Sequence, residues 1–250
     1  MNKLRKLPLR LVFLLAALSP GCDLPGRPSP ANRSVPVDQV TDFGVLYTTR
    51  CAGCHGADGK LGPAPPLNDP IFLAIVTDAE LLRVIAEGRI VAPGQKSPMP
   101  AFAHDRGGPL TGAQVKLLAD GIKKRWASPA SLSGTPPAYL GPATAGEGSK
   151  NAGARVFARA CAGCHGSQGE GNEDGHALPG GAINNQSFLA LTSDQALRRT
   201  IITGRPDLGM PAYDGKSCRS PDFQVLTSAQ IDDLVALLRS WRRGGSGSGE

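Results

Sequence analysis

The sequence predicts an all-α protein in which two small domains of the same design follow each other along the chain. The pentapeptide Cys-Ala-Gly-Cys-His occurs at residues 51–55 and again at residues 161–165, and the segments after each copy match in the same order. Apolar residues recur at the spacing of helix faces, whereas no segment alternates between polar and apolar residues as strands do. A repeat of this length indicates two copies of one domain within the 250 residues.

The matching segments run through the whole of each copy. Their order is the same in both copies while their spacing drifts by a few residues, which is the pattern expected when loops differ in length. The pairs are Phe72-Leu73-Ala74 with Phe188-Leu189-Ala190, Gly88-Arg89 with Gly204-Arg205, Met99-Pro100-Ala101 with Met210-Pro211-Ala212, Leu110-Thr111 with Leu226-Thr227, and Trp126 with Trp241.

Three main helices are predicted in each copy. A capping box opens the second helix of the first copy at Thr77, with Glu80 three residues later, and Thr111 and Thr227 open the last helices in the same way with Gln. The predicted spans are 38–50, 77–88 and onward from 111 in the first copy, and 151–160, 193–204 and onward from 227 in the second. In the last of these, Ile231, Leu234, Val235, Leu238 and Trp241 define one apolar face.

The N-terminal residues are typical of an export signal. A basic start precedes an apolar run over 7–18 that is shorter than the roughly 20 residues needed to span a bilayer, so a signal peptide over 1–21 is predicted, with a retained anchor as the alternative. Cys22 resembles the lipid-accepting cysteine of bacterial lipoproteins, although Ser19 stands where such proteins usually carry Leu. The alternative for Cys22 is an unmodified cysteine. A Pro-rich tether over 22–37 follows.

These features predict a periplasmic protein that is anchored to the membrane through Cys22. The folded regions are predicted as one domain over 38–126 and another over 150–243, joined by a Pro/Gly/Ala/Ser linker over 127–149. A disordered tail is predicted over 244–250. Four of the positive charges behind the net charge of +6 lie in the predicted signal peptide. The rest of the chain therefore has little net charge, and the sequence gives no support for nucleic-acid binding.

The repeated Cys-x-x-Cys-His motif predicts covalent attachment of haem c in each copy. Its two thiols, Cys51 with Cys54 and Cys161 with Cys164, form thioethers with the haem vinyl groups, and the next histidine ligates the iron. A redox dithiol would need an alternating strand–helix context, and a zinc site would join both cysteine pairs into one cluster. Neither alternative suits a motif that sits inside each of two complete repeats.

A sixth iron ligand is predicted at Met99 and Met210, opposite His55 and His165. The chain has only three methionines, and apart from the initiator each lies at almost the same distance after its motif and is followed by Pro-Ala. The alternative is that each fills a gap in a core. Met and His together favour ferrous iron and a high reduction potential, and a closed sixth position disfavours peroxide or oxygen chemistry.

Roles can also be predicted for three further side chains, on weaker signals. His104 follows Met99 closely and could compete as a ligand, the alternative being a histidine in a surface loop. His176 lies in a polar, Gly-rich insert and is predicted to be solvated. Cys218 is predicted to be a partly buried thiol, with a thiolate ligand or a site for sulfur substrates as the alternative.

With these motifs in place, each repeat resembles a class I cytochrome c domain, and the whole resembles bacterial dihaem cytochromes. In that family an aromatic residue precedes the first cysteine by four positions, which Tyr47 and Phe157 match. The family also implies a glycine where the first and last helices cross. Gly153 fits that position, whereas the first copy has Phe43, for which Gly121 could make room.

The resemblance implies electron transfer by two His/Met-ligated haems, with no small-molecule substrate. The first interpretation is a freestanding or membrane-tethered carrier that serves redox protein partners. The second is a fixed subunit of a larger membrane respiratory complex, such as an oxidase, a quinol-oxidising complex or a dehydrogenase. The third is an enzyme, either a dihaem peroxidase or a thiosulfate-oxidising cytochrome, which would need an open or unusually ligated iron.

Overall fold

The structure, a computed structural model, describes residues 29, 33–89, 99–128, 132, 134–142, 148–171, 180–216, 219 and 221–243. The chain divides into two units, residues 1–36 and residues 37–250, and both repeats lie in the second. Throughout the described ranges the regular elements are helices, with isolated β-bridges in place of strands. This confirms the predicted all-α class.

Within the described residues, each repeat forms five α-helices in the same order. In the first repeat they are α1 (Phe43–Arg50), α2 (Ala52–His55), α3 (Pro70–Ile75), α4 (Asp78–Glu87) and α5 (Gly112–Trp126). In the second they are α6 (Lys150–Ala160), α7 (Ala162–His165), α8 (Gln186–Leu191), α9 (Asp194–Thr203) and α10 (Ser228–Arg243). Short 3-10 helices cover Val37–Gln39, His104–Arg106 and Pro206–Leu208.

The first helix begins later than predicted. The Asp42 side chain accepts a hydrogen bond from the Val45 N–H over 2.8 Å and so caps α1, which leaves residues 38–42 outside it. Four helices were not predicted, namely α2 and α7 within the two Cys-x-x-Cys-His motifs and, further along each repeat, α3 and α8. Asp69 caps α3 and Asn185 caps α8, each through a bond from the N–H group three residues later. Each spans only six residues, too few for a helical period to stand out.

The capping boxes differ between helices. Both reciprocal bonds form between Thr111 and Gln114 at the start of α5. At α4 the Thr77 hydroxyl accepts from the Glu80 N–H, but the Glu80 carboxylate binds Arg83 instead of reaching back. The predicted box at Thr77 is therefore only half formed, because a cation on the next turn competes for the carboxylate.

In the second repeat, the first and last helices cross in close contact at Gly153. A Cβ atom placed there would lie 2.2 Å from the Asp233 carbonyl oxygen of α10 and 3.0 Å from the Leu237 side chain. Only glycine allows α6 and α10 to approach this far. This confirms the expectation that the family resemblance placed on Gly153.

The first repeat makes the same crossing with a different pair of residues. Phe43 of α1 lies against Gly121 of α5, where a Cβ atom would come within 2.1 Å of the aromatic ring. The glycine has moved to the opposite helix and the ring fills the space, as predicted. The ring also contacts Tyr47 and Trp126, with centroids 5.7 and 6.2 Å apart.

The two repeats share a contact surface. Helix α3 packs against α9, and Ile75 contacts the buried cores of both repeats. From the segment between the repeats, Tyr139 is buried against Phe72, with ring centroids 5.7 Å apart, and its carbonyl accepts a hydrogen bond from Gln195 over 2.7 Å. The described part of the predicted linker is thus docked between the two repeats.

Candidate functional site

Each Cys-x-x-Cys-His motif is anchored to the helix crossing of its own repeat. The first cysteine ends the first helix, and its N–H donates to the carbonyl of Tyr47 or Phe157 over 2.8 Å. Both aromatic rings are almost fully buried and pack edge-on against Trp126 and Trp241, with centroids 5.0 and 5.3 Å apart. The motif therefore stands directly beside the point where the terminal helices meet.

The histidines of the two motifs are oriented in the same way. His55 Nδ1 lies 3.1 Å from the Pro65 carbonyl oxygen, and His165 Nδ1 lies 2.9 Å from that of Gly181. A carbonyl can only accept, so Nδ1 carries the proton and Nε2 keeps its lone pair for a metal. Burial lowers the pKa of His55, which favours the neutral imidazole that a metal requires.

The two methionines lie in loops of the same geometry. The Arg89 N–H donates to the Met99 carbonyl over 2.9 Å, and the Arg205 N–H donates to that of Met210 over 3.0 Å. Gly88 and Gly204, with φ of +74° and +66°, let each loop pack on the end of a helix. A Cβ at either glycine would lie within 2.5 Å of the methionine carbonyl oxygen. The repeated Met and Gly positions thus build one local structure twice.

A single continuous cavity of about 670 Å³ brings all these residues together. Its wall includes the eight residues predicted to bind haem, namely Cys51, Cys54, His55, Met99, Cys161, Cys164, His165 and Met210. The two predicted sites therefore open into the same space, which the sequence did not indicate.

The chemistry of this wall fits two haem groups. It is largely apolar, yet it carries five arginines and one acidic residue, Glu80, which already pairs with Arg83. The buried Nε groups of Arg50 and Arg219 have no hydrogen-bond partner among the described residues. A flat apolar ligand with two carboxylates, which haem is, matches both the apolar surface and the excess positive charge.

The redox dithiol and the zinc cluster fit the structure poorly. A redox dithiol needs a thiolate, which forms where the thiol pKa is lowered. Burial instead raises the pKa of Cys51 to about 11 and that of Cys161 to about 12. Within the part of the chain that is described, no group of three or more His, Cys, Asp or Glu side chains is placed to hold a metal ion.

His104 is exposed on a 3-10 helix and is absent from the cavity wall. That position agrees with a surface histidine and disfavours the alternative of a competing ligand. Cys22, His176 and Cys218 lie outside the described residues, and so do the signal peptide and the C-terminal tail.

Sequence reasoning missed the arginines of the cavity wall, among them Arg89, Arg199 and Arg205, and it also missed Tyr139. The repeated Gly-Arg pair was a usable signal for two of them, because an arginine that recurs beside the methionine loop is placed to face the same site. Arg199 is equivalent to Arg83 of the first repeat, but Arg83 is half exposed and binds Glu80 instead of lining the cavity. Tyr139 lies in the segment between the repeats. The positions of Arg199 and Tyr139 therefore depend on how the two repeats pack together.

None of the described helices is both long enough and apolar enough to cross a membrane. Among solved structures, a chain of the reducing HAO-like protein complex of Kuenenia stuttgartiensis matches 84% of this chain and 99% of its own length. The identity is 19% and the TM-score 0.42, a likeness too weak to bear on function.

Sequence comparison is more informative. The Cbb3-type cytochrome c oxidase subunit FixP of Azorhizobium caulinodans is 31% identical over 172 residues, which is 68% of this chain and 51% of the relative. FixP of Bradyrhizobium sp. (strain ORS 278) is 30% identical over 178 residues, with 69% and 53% covered. The chain thus spans about half the length of these curated relatives.

The two repeats also match described families separately. Residues 38–120 match cytochrome C oxidase, cbb3-type, subunit III, and residues 151–242 match cytochrome c. These matches agree with the helical fold, the two Cys-x-x-Cys-His motifs and the apolar cavity that they share. The chain therefore belongs to the cytochrome c family, with two cytochrome c domains that bind haem c covalently.

Proposed function

We propose that this protein carries electrons as the dihaem subunit of a membrane respiratory oxidase of the cbb3 type. Haem-based electron transfer follows from the two cytochrome c domains. The assignment to an oxidase rests on the relatives, which are named as subunits of such an oxidase and are about twice as long as the matched region.

The residue assignment is part of this proposal. Cys51 and Cys54 hold one haem, Cys161 and Cys164 hold the other, and His55 and His165 are the proximal ligands. Met99 and Met210 complete the two sites. The bound haem supplies an iron that gains and loses one electron, while the thioether and imidazole groups keep it in place. The Met side chains raise the potential and exclude other ligands.

The observation that carries the proposal is the single cavity lined by both sets of ligands. The two proposed redox centres open into one apolar space. The domains that carry them pack against each other through α3 and α9, which would allow an electron to pass between the centres within one protein. Haems held at these two sites would let an electron enter and leave through the same protein. Neither domain needs to bind or transform a substrate for this purpose.

The location in the cell follows from the N-terminal sequence. We place both haem domains on the periplasmic side of the envelope, held at the membrane through Cys22 and the Pro-rich tether over 22–37. This arrangement would suit a subunit of a membrane complex. It would equally suit a tethered carrier, which is the second candidate.

Purification of the tagged full-length protein from its native membranes in mild detergent tests the oxidase assignment. Native gel electrophoresis, stained for covalent haem and for oxidase activity, should give one band with both signals. A haem-stained band that migrates as a monomer, away from all oxidase activity, would support a freestanding carrier. A Cys22→Ser variant serves as the control for membrane attachment, because it removes the proposed lipid site without touching either haem domain.

The enzyme alternative is tested on the purified protein. If both irons are closed by methionine, the ferric protein shows the charge-transfer absorption of Met ligation at both haems and does not bind cyanide at low concentration. One haem that lacks this absorption and binds cyanide readily would favour a peroxidase or a thiosulfate-oxidising cytochrome instead.

A further inference from the structure

Arg199 of the second domain lies in the wall of the first domain's haem site. It belongs to α9, is 7% exposed, and lines the shared cavity. One of its Nη atoms donates a hydrogen bond to the Pro66 carbonyl of the first domain. Its guanidinium carbon lies 3.6 Å from the centroid of the Phe72 ring. Pro66 directly follows Pro65, whose carbonyl orients His55.

The charge of Arg199 has no carboxylate partner at ion-pair distance among the described residues. A guanidinium has five N–H donors, and the contacts above use one of them together with one aromatic face. A buried charge is costly unless it is paired. Burial lowers the pKa of Arg199 to about 10, so the side chain remains a cation at neutral pH.

The neighbouring Arg198 shows how this fold treats a buried arginine that serves structure alone. Arg198 is 3% exposed, and its guanidinium contacts the Asp232 carboxylate, the Ala138 carbonyl and the Ser228 hydroxyl. Its charge is paired with a carboxylate, and three of its five N–H donors bind groups of the protein. The contrast between two adjacent buried arginines indicates that the partner of Arg199 comes from elsewhere.

The surroundings of Arg199 are arranged for an anion. Arg89 of the first domain and Arg205 of the second both line the same cavity, and their charges further lower the pKa of Arg199. Arg89 donates to the Tyr139 hydroxyl over 2.9 Å, and Arg205 binds Asp207. Tyr139 and Asp69 both act on Arg199 electrostatically, but the Tyr139 hydroxyl accepts a hydrogen bond from Arg89, and Asp69 caps α3.

We propose that Arg199 binds a propionate carboxylate of the haem held by the first domain, so that this haem site is completed by a residue of the second domain. The inference rests on the haem assignment made above. A carboxylate is the ligand that a guanidinium binds best, through two parallel hydrogen bonds. Arg199 contacts Pro66 and Phe72, which both belong to the first domain, and this identifies the haem concerned.

This arrangement makes the first haem sensitive to the second domain. The cation favours the reduced iron, which carries one positive charge fewer, so it raises the reduction potential of the first haem. It also joins the domains through the cofactor in addition to the contact between α3 and α9. Loss of the Arg199 charge should therefore lower the reduction potential of the first haem and leave that of the second haem unchanged.

The test is a spectroelectrochemical titration of the full-length protein with both haems attached. Arg199→Gln removes the charge but retains an N–H for the Pro66 carbonyl. It should lower the reduction equilibrium constant of the first haem about tenfold, which corresponds to about 59 mV for one electron. Arg199→Lys, which retains the charge, should restore most of this difference.

Combining Arg199→Gln with each of two ligand variants shows which haem Arg199 affects. In Met99→His the first haem should titrate at the lower potential, and in Met210→His at the higher one. Arg199→Gln should move the lower step in the former background and the higher step in the latter. If Met99→His and Met210→His leave the potentials unchanged, the ligand assignment fails, which is separate from the fate of Arg199.

Arg198→Gln is the matched control, since it removes a buried arginine one residue away. It should reduce the stability of the protein. The reduction equilibrium constant of each haem should stay within twofold of the parent value. The proposal is wrong if Arg199→Gln, folded and carrying two haems, moves neither step, or if it moves the step of the second haem. It is also wrong if Arg198→Gln shifts the first haem equally.

Discussion

Met99 and Met210 are the residues that we propose as the sixth ligands of the two haem irons. Each lies in a loop fixed by a backbone bond to an arginine and by a glycine at positive φ, and each lines the cavity beside its own motif. The same local structure occurs in both domains, which a methionine that merely fills a gap would not require. The ligand assignment thus makes a prediction for each domain.

Met210→His should lower the reduction potential of the second haem without releasing it, because imidazole favours ferric iron more than a thioether does while the covalent bonds remain. A potentiometric titration of the purified protein measures this change. Met99→His is the matched variant and should act on the first haem alone. An unchanged second potential in Met210→His would mean that Met210 is not a ligand.

Cys164→Ala should impair attachment of the second haem, since one of its two thioether bonds can no longer form. Mass spectrometry of the denatured protein should show fewer molecules with two haems, while the first haem remains attached. Cys54→Ala should give the reverse pattern. Normal loading of both haems in Cys164→Ala would contradict the assignment of the motif.

At the scale of helices, the crossings of α1 with α5 and of α6 with α10 set the position of each haem motif. The two crossings place their small residue on opposite partners, Gly121 on the last helix in one domain and Gly153 on the first helix in the other. Both arrangements bring the terminal helices together beside the first cysteine. The close approach matters more than which helix carries the glycine.

Gly153→Ala should destabilise the second domain by about 1–3 kcal/mol, because its Cβ would overlap the Asp233 carbonyl oxygen of α10. Chemical denaturation followed by haem absorption measures the change. Gly112→Ala in α5 is the control, since a Cβ there has no atom within 4 Å. Its effect should stay within about 0.5 kcal/mol. Equal stability of both variants would show that the crossing is not tight.

At the scale of the whole haem-binding unit, the two domains form one body through three kinds of contact. Apolar residues of α3 pack against α9, Tyr139 from the connecting segment is buried against Phe72, and Arg199 reaches the loop after the first motif. Together they bring the two sets of predicted haem ligands to one cavity.

Ile75→Asp should separate the domains, because a carboxylate would be introduced where the side chain contacts both cores. Small-angle X-ray scattering of the haem-loaded protein should show a larger radius of gyration. Leu61→Asp is the control, since Leu61 is 81% exposed and has a φ of 65°, which Asp tolerates. Identical scattering from the parent and Ile75→Asp would show that this contact does not hold the domains together.

Much of this protein could be predicted from its sequence because the signals are local. The haem motif fits within five residues, and the repeat supplies an internal comparison for Met99 and Met210. Capping residues mark the starts of α4, α5, α9 and α10, and glycines mark the C-terminal ends of α4 and α9. The packing of Phe43 against Gly121 was also predictable, because the equivalent positions of the two repeats can be compared directly.

What only the tertiary structure decided lies between the domains. The burial of Tyr139, the contact of Arg199 with Pro66 and the meeting of the two predicted haem sites in one cavity join residues that are far apart in sequence. Such contacts leave no local pattern, because they depend on which faces of two finished domains meet. The sequence by itself determined two cytochrome c domains, and their packing determined that they share a site.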